Sequence, residues 1–449
     1  MAETRPAISS RLGVNYWRLW IASVISNFGD GVAGVAYPWL ASAITRDPIQ
    51  IALIGVANRL PWLLFSLPAG VLTDRLDRRK IVATMDAFRF LLTLLVGLIV
   101  FAGRGGLATP GNIAAGNATP PSNATALLIL LYGSSLLFGF AEVLRDNAAQ
   151  TLMPGMVAPD HLEKANGRLW GAEMVMNSFI GPPVGGLLIA AGFALPFFVD
   201  AGTFAFAAAL IFLIAGSFRP AGTRPEKVNW RVEIGEGLRW LWNHQLLRSM
   251  ALILGVMNAM LSMAMATYVL FVQEILDLEA TQFGLLMTAG AFGGVLGSLL
   301  AARISSALGR GASLFVALIG SAVALGTTGA TSSAVVVWAM FAVSAFLGVV
   351  WNVITVSLRQ AIIPDVLLGR VNSVYRLLAW GAMPIGIALG GALVSVTEHW
   401  AGRELGLRMP FYCAAAVFLI LFFVAIPRLN SVTIEKARQA AVKVDQEGD

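Results

Sequence analysis

Hydrophobic residues in this chain come in runs too long for the core of a water-soluble domain. Stretches of about 20 apolar residues, each enough to cross ~30 Å of hydrocarbon as a helix, recur along its whole length and are separated by short polar or charged loops. About twelve such runs can be marked, at residues 16–43, 49–73, 80–103, 125–151, 165–191, 195–217, 247–273, 281–302, 311–330, 333–358, 371–397 and 409–427. The runs are continuous rather than alternating, which excludes a membrane β-barrel. The predicted fold class is an all-α polytopic membrane protein with twelve transmembrane helices.

Composition supports this. Of 449 residues, 57% are hydrophobic and only 12% charged, whereas roughly a quarter would be charged in a soluble domain. The net charge of +6 invites a nucleic-acid reading. Its basic residues are spread over many short loops instead of one face, so the expected surroundings are a lipid bilayer, with no nucleic-acid partner. Their placement reports orientation. With the N-terminus in the cytoplasm, about 24 of the Lys and Arg residues fall inside and about 4 outside (Arg46, Arg104, Arg403 and Arg408), a strong positive-inside bias. The first run is too long for a signal-peptide core and follows Arg5 and Arg11, so it reads as a retained anchor.

A basic, Pro-containing stretch at residues 219–248 divides the runs six and six. The expected domains are an N-terminal six-helix bundle (1–217), a cytoplasmic central linker (218–246), a C-terminal six-helix bundle (247–427) and a cytoplasmic tail (428–449). Within the linker, Leu238, Leu241 and Trp242 at helical spacing predict an interfacial helix. The halves resemble each other. Gln150 and Pro154, then Asn166, then Gly185-Gly186 are matched in order by Gln360 and Pro364, then Asn372, then Gly390-Gly391. Such a parallel repeat implies two pseudo-symmetric bundles. Residues 103–124, rich in Gly, Ala, Pro, Asn and Thr, read as a flexible external loop.

Charge inside the membrane costs roughly 2.5–3.5 kcal/mol per residue, so it needs partners, water or a function. Asp30 in the first span and Arg59 in the second both fall about 20 Å from the cytoplasmic ends at 1.5 Å per residue, and are expected to pair. Arg145 and Glu173 form an inner cluster with Glu142 and Asp146, whereas Asp86 and Arg89 read as a local pair stabilising the third helix. Spans seven to twelve have no interior acid, which confines any proton-carrying carboxylate to the first half. A buried carboxylate beside an Arg changes protonation when the Arg moves. Asp30 is therefore the first candidate, followed by Glu173 and Glu142, although a permanent structural ion pair fits the same residues. Near midplane, Tyr37, Trp62, Tyr268, Trp351 and Tyr375, with Asn258 and Asn352, are candidates to line an amphipathic substrate cavity.

Two motifs carry a family resemblance. The loop Gly70-Val71-Leu72-Thr73-Asp74-Arg75-Leu76-Asp77-Arg78-Arg79-Lys80 resembles the signature loop between helices 2 and 3 of the major facilitator superfamily, with Asp77 where Gly is usual. Gly181-Pro182-Pro183-Val184-Gly185-Gly186 is similar to the family's antiporter motif, with Asn177 where a further Gly is expected. Asn27-Phe28-Gly29-Asp30 and Arg59-Leu60-Pro61, together with the signature loop, resemble the macrolide-efflux and enterobactin-exporter branch. The resemblance implies a gate latch at Gly70, Asp74, Arg75, Arg78 and Arg79. It also implies an antiporter element at Gly181, Pro182, Gly185 and Gly186. Plain positive-inside anchoring and a Gly-rich packing face are the corresponding simpler readings.

The function expected is a proton-coupled exporter of an amphipathic small molecule, working by alternating access as a monomer in the cell (inner) membrane. The alternatives are a siderophore or other dedicated metabolite exporter and an uncoupled facilitator. An enzyme is not expected. His161, His244 and His399 fall in loops or an interfacial segment, Cys413 is solitary, and no Walker-type loop is present, so no cofactor and no metal is expected.

Overall fold

The computed structural model describes residues 12–73, 75–114, 120–216, 218, 230–437 and 439. Its helices are α1 (Val14–Ile44), α2 (Pro48–Thr73), α3 (Arg78–Ala102), α4 (Pro110–Ala114), α5 (Ala124–Leu152), α6 (Leu162–Met174), α7 (Gly181–Ala191) and α8 (Leu195–Phe212), followed by α9 (Trp230–Asn243), α10 (Gln245–Met265), α11 (Tyr268–Glu274), α12 (Ala280–Leu308), α13 (Arg310–Ala330), α14 (Ala334–Ile362), α15 (Asp365–Ala401) and α16 (Arg403–Ala425). Among the described residues, 12 helical segments are long and apolar enough to cross a membrane. Each matches one of the apolar runs marked in the sequence.

The helices face the environment that their composition requires. On α3, Leu91, Leu95 and Leu98 are exposed along one stripe, while Asp86, Arg89 and Thr93 are buried on the other. A soluble helix has the reverse arrangement, so α3 is built for lipid outside and polar packing inside.

The chain forms two compact units. The first comprises Met1–Thr45, Ala57–Thr223 and Leu278–Leu285, and the second Arg46–Val56, Arg224–Asp277 and Leu286–Asp449. These boundaries differ from a cut at 217 and 247. Each unit takes in a short piece from the other half of the sequence. Within the central stretch, a helix stands where one was expected, α9 (Trp230–Asn243). Helix α9 packs on α10 and α15, with Leu241 buried, Gly237 against the Arg370 backbone and a Glu236–Arg370 ion pair of 2.7 Å. Leu238 and Trp242 stay exposed.

Two spans are interrupted for local reasons. Between α6 and α7, residues Val175–Ile180 wind as a π-helix. Pro182 and Pro183 lack the N–H groups that would continue the i→i−4 ladder, and a wider turn precedes them. The seventh run breaks at Thr267, which separates α10 from α11. The loop at 103–124 is described at 103–114 and 120–124. It contains α4, which packs on α1 and α7 and buries Ile113.

The glycine repeat has the same structural consequence in both units. A Cβ at Gly185 would stand 2.7 Å from the Val32 carbonyl on α1, and one at Gly390 2.4 Å from the Met263 carbonyl on α10. Only glycine lets these backbones approach so closely.

Candidate functional site

The first unit holds a buried charge cluster on α1, α3 and α5. Arg89 Nη2 donates to Asp30 Oδ1, and Arg89 Nη1 lies 3.5 Å from Asp86 Oδ1. Asp86 in turn accepts from Arg145 Nε at 3.3 Å, and Arg145 Nη1 reaches Asp146 at 3.3 Å. Ser26 and Ser23 on α1 accept from Arg89 and Arg145, each at 3.4 Å. The Arg89 guanidinium is also sandwiched between rings, 3.9 Å from the Phe204 centroid and 4.5 Å from that of Phe138. Desolvated cation–π contacts of this kind contribute about 2 kcal/mol, and the paired carboxylates offset the larger cost of burying the cation.

The pairing differs from the one expected. Asp30 is held by Arg89, whereas Arg59 is exposed on α2 and within electrostatic reach of Glu142. Asp86 and Arg89 are no mere local pair, since Asp86 bridges two arginines at 0% exposure. Glu142 and Glu173 are partly buried at the edge of the cluster, and Glu173 interacts with Arg145.

The 2–3 loop ties its helices together by capping. Asp77 is the N-cap of α3 and accepts from Arg79 N at 3.0 Å, so the residue that departs from the usual Gly supplies a cap worth about 1 kcal/mol. Arg78 donates to the Thr151 carbonyl at 2.9 Å at the end of α5, and Arg79 to the Ile214 carbonyl just beyond α8. Cations at helix C-termini are favoured by the helix dipole. Gly70 accepts from Thr73 Oγ1 at 2.8 Å, and Arg75 is exposed. Asp74 lies outside the described residues.

In the antiporter-like element, Gly181, Pro182, Gly185 and Gly186 are buried on α7. Asn177, where the motif has Gly, donates to Asn27 Oδ1 on α1 at 3.3 Å. The polar departure is thus satisfied by a partner.

A profile for the family described as transmembrane secretion effector matches residues 12–447. The chain belongs to this family, within the major facilitator superfamily. It is 28% identical over 426 residues to the multidrug efflux pump Tap of Mycolicibacterium fortuitum, covering 92% of this chain and 96% of that one. It is 26% identical over 384 residues to the enterobactin exporter EntS of Escherichia coli O139:H28, covering 84% and 83%. In fold it resembles the inward-facing crystal structure of a bacterial homologue of the iron transporter ferroportin, with a TM-score of 0.69, 20% identity, and 92% and 98% coverage.

This major facilitator protein also has a charge cluster in its second unit, which hydropathy reasoning recorded only as outside cations. Arg46 donates to Glu274 at 2.6 Å and to Gln273. Arg403 binds Glu274 at 2.8 Å, Glu398, and the Arg46 carbonyl at 2.9 Å. Arg408, also expected outside, donates to the Gly329 and Thr331 carbonyls at the end of α13.

The aromatic and amide candidates separate by burial. In the second unit, Tyr268, Trp351 and Tyr375 are enclosed core residues. Tyr268 packs against Phe341 and Phe411, and Arg359 lies 4.0 Å above the Tyr375 ring. Asn258 is half-buried and donates to the Ala379 carbonyl, and Asn352 is exposed. In the first unit, Tyr37 and Trp62 are half-buried.

Proposed function

We propose that this transporter exports an amphipathic small molecule in exchange for protons by alternating access, as a multi-pass monomer of the cell membrane with both termini cytoplasmic. The observation that carries the reading is the Asp30–Arg89 ion pair. It places a part-exposed carboxylate against an enclosed guanidinium inside a span, where a fixed charge pair without a task is costly. Protonation of Asp30 releases its hold on Arg89, which changes the relative stability of access states and lets a proton gradient bias them. Glu142, Arg145, Glu173 and Arg59 are the remaining coupling residues. The signature loop, with Asp74, Arg75 and Arg78, serves as the inner latch. Tyr37, Trp62, Asn258 and Asn352 are the residues proposed to meet substrate.

The likeness to Tap supports drug-like substrates. The likeness to EntS favours a second reading, export of a dedicated metabolite such as a siderophore. A susceptibility panel of amphipathic antibiotics and dyes in a pump-deficient host, wild type against Asp30→Asn, separates the two. Broad resistance that is lost in the variant supports drug export; no resistance with either protein favours the dedicated exporter.

A further inference from the structure

Asp200 on α8 is a carboxyl that neither depth reasoning nor motif matching picks out. Its side chain is fully enclosed, and neither oxygen accepts a hydrogen bond. The adjacent hydroxyl is committed elsewhere, since Thr203 Oγ1 donates to the main-chain carbonyl of Asp200 at 2.7 Å. Helix α1 closes over the carboxyl at Gly29, where an added Cβ would stand 2.3 Å from Asp200 Oδ1. The next residue along α1 is Asp30. The ionisable groups on the helices packed against α8 here are Asp30 and Tyr37 on α1 and Asp86 and Arg89 on α3. Helix α5, which meets α8 at Phe138 and Phe204, carries Glu142 and Arg145, and α7 brings none. Asp30 and Arg89 are both within electrostatic reach of Asp200.

Charge counting assigns its state. The enclosed part of the cluster contains two guanidinium groups, Arg89 and Arg145, with Asp30, Asp86 and Asp200, while Asp146, also paired with Arg145, is the most exposed acid of the set and keeps contact with water. Two carboxylates neutralise the two cations. A third negative charge removed from water would cost several kcal/mol, and one without a hydrogen bond would cost more. Asp30 and Asp86 hold the arginines, so Asp200 is the neutral acid of the set. Arg89 Nε has no acceptor in this arrangement, which leaves a donor free for a different partner.

We propose that Asp200 is a second proton-exchanging carboxyl, sharing Arg89 with Asp30 so that one of the two holds the guanidinium while the other carries a proton. The proposal rests on the proton-antiport reading above. A proton taken up by Asp30 forms an O–H bond there and ends its ion pair. The O–H bond of Asp200 then breaks, its proton passes to water, and the new carboxylate takes over Arg89. One proton enters and one leaves, and the charge of the cluster is unchanged.

The test is infrared difference spectroscopy on the full-length protein in lipid vesicles at neutral pH, comparing wild type, Asp200→Asn and Asp30→Asn. The expected result is a protonated-carboxyl carbonyl band in the wild type that is missing from Asp200→Asn. It should also be missing from Asp30→Asn, because there Asp200 must ionise to hold Arg89. A merely structural neutral acid would keep its band in Asp30→Asn, and that outcome, or no such band in the wild type, overturns the proposal. If Asp200→Asn does not accumulate, the comparison of Asp30→Asn with wild type carries the same decision. The same vesicles, loaded with ethidium under an imposed pH gradient, should show proton-driven efflux reduced about tenfold in Asp200→Asn. Absence of proton-driven ethidium efflux in the wild type would count against antiport of drug-like cations, and the band comparison would still decide the sharing of Arg89.

Discussion

Arg89 and Asp30 join α3 to α1 through an ion pair whose cation is sealed from solvent and whose anion is part-exposed. The same guanidinium faces Asp86 on its own helix and lies against two aromatic rings. Removing it leaves Asp30 without its cation and Asp86 with Arg145 alone. Arg89→Gln is therefore expected to destabilise the protein by about 3 kcal/mol or more. Arg59→Gln, at an exposed position, should cost about 0.5 kcal/mol or less. Unfolding by SDS titration in micelles measures both, and equal losses would contradict the assignment.

The departure of Asp77 from the usual motif Gly has a structural role. Asp77→Ala should lower stability by about 1 kcal/mol through loss of the α3 cap, and Asp77→Gly by only a few tenths. A thermal melt in detergent distinguishes them. Equal effects of the two substitutions would mean that the cap contributes little.

Most of the fold was legible in the sequence because hydropathy reports span number directly. The place of Asp30 along α1 could be counted from the sequence, but its partner could not. Counting residues along straight helices places Arg59 level with Asp30. It does not report rotation about the helix axis, which turns Arg59 to an exposed face. Arg89 starts about 16 Å along α3 at 1.5 Å per residue, and its long side chain covers the remaining distance. The i,i+3 spacing from Asp86 concealed that reach. Asp200 was hidden by a different effect. It lies only five residues into α8, and its enclosure comes from packing that the sequence does not display, including α1 at Gly29.

Glu274 is the shared anion of Arg46 and Arg403, with all three side chains no more than 32% exposed. Glu274→Gln removes the charge that both cations use. A loss of about 1–3 kcal/mol is expected, less than for a fully buried pair because water screens part of the interaction. Glu404→Gln, whose side chain is 74% exposed, should change stability by about 0.5 kcal/mol or less. The same SDS titration compares them, and a silent Glu274→Gln would contradict the bridging role.

His244 caps α10, its Nδ1 accepting from Leu247 N at 3.3 Å, and burial holds its pKa below the ordinary value of 6.5. A protonated Nδ1 cannot accept, and the unfolded chain binds the proton more readily. The contribution is therefore present above about pH 6.5 and is lost as pH falls through the lower folded-state value. His244→Asn keeps a capping side chain without titrating. Its melting temperature should fall less than that of the wild type between about pH 7.5 and pH 5.5. Parallel declines would exclude His244 as the source.

In the proposed mechanism Asp30, through its pair with Arg89, couples export to protons. Its most direct measurement is ethidium efflux from proteoliposomes under an imposed pH gradient, for wild type and Asp30→Asn at matched protein density. The wild type should move the dye against its concentration gradient. Asp30→Asn should still exchange dye across the membrane at equal concentrations but fail to concentrate it. Full gradient-driven accumulation by Asp30→Asn would contradict the claim.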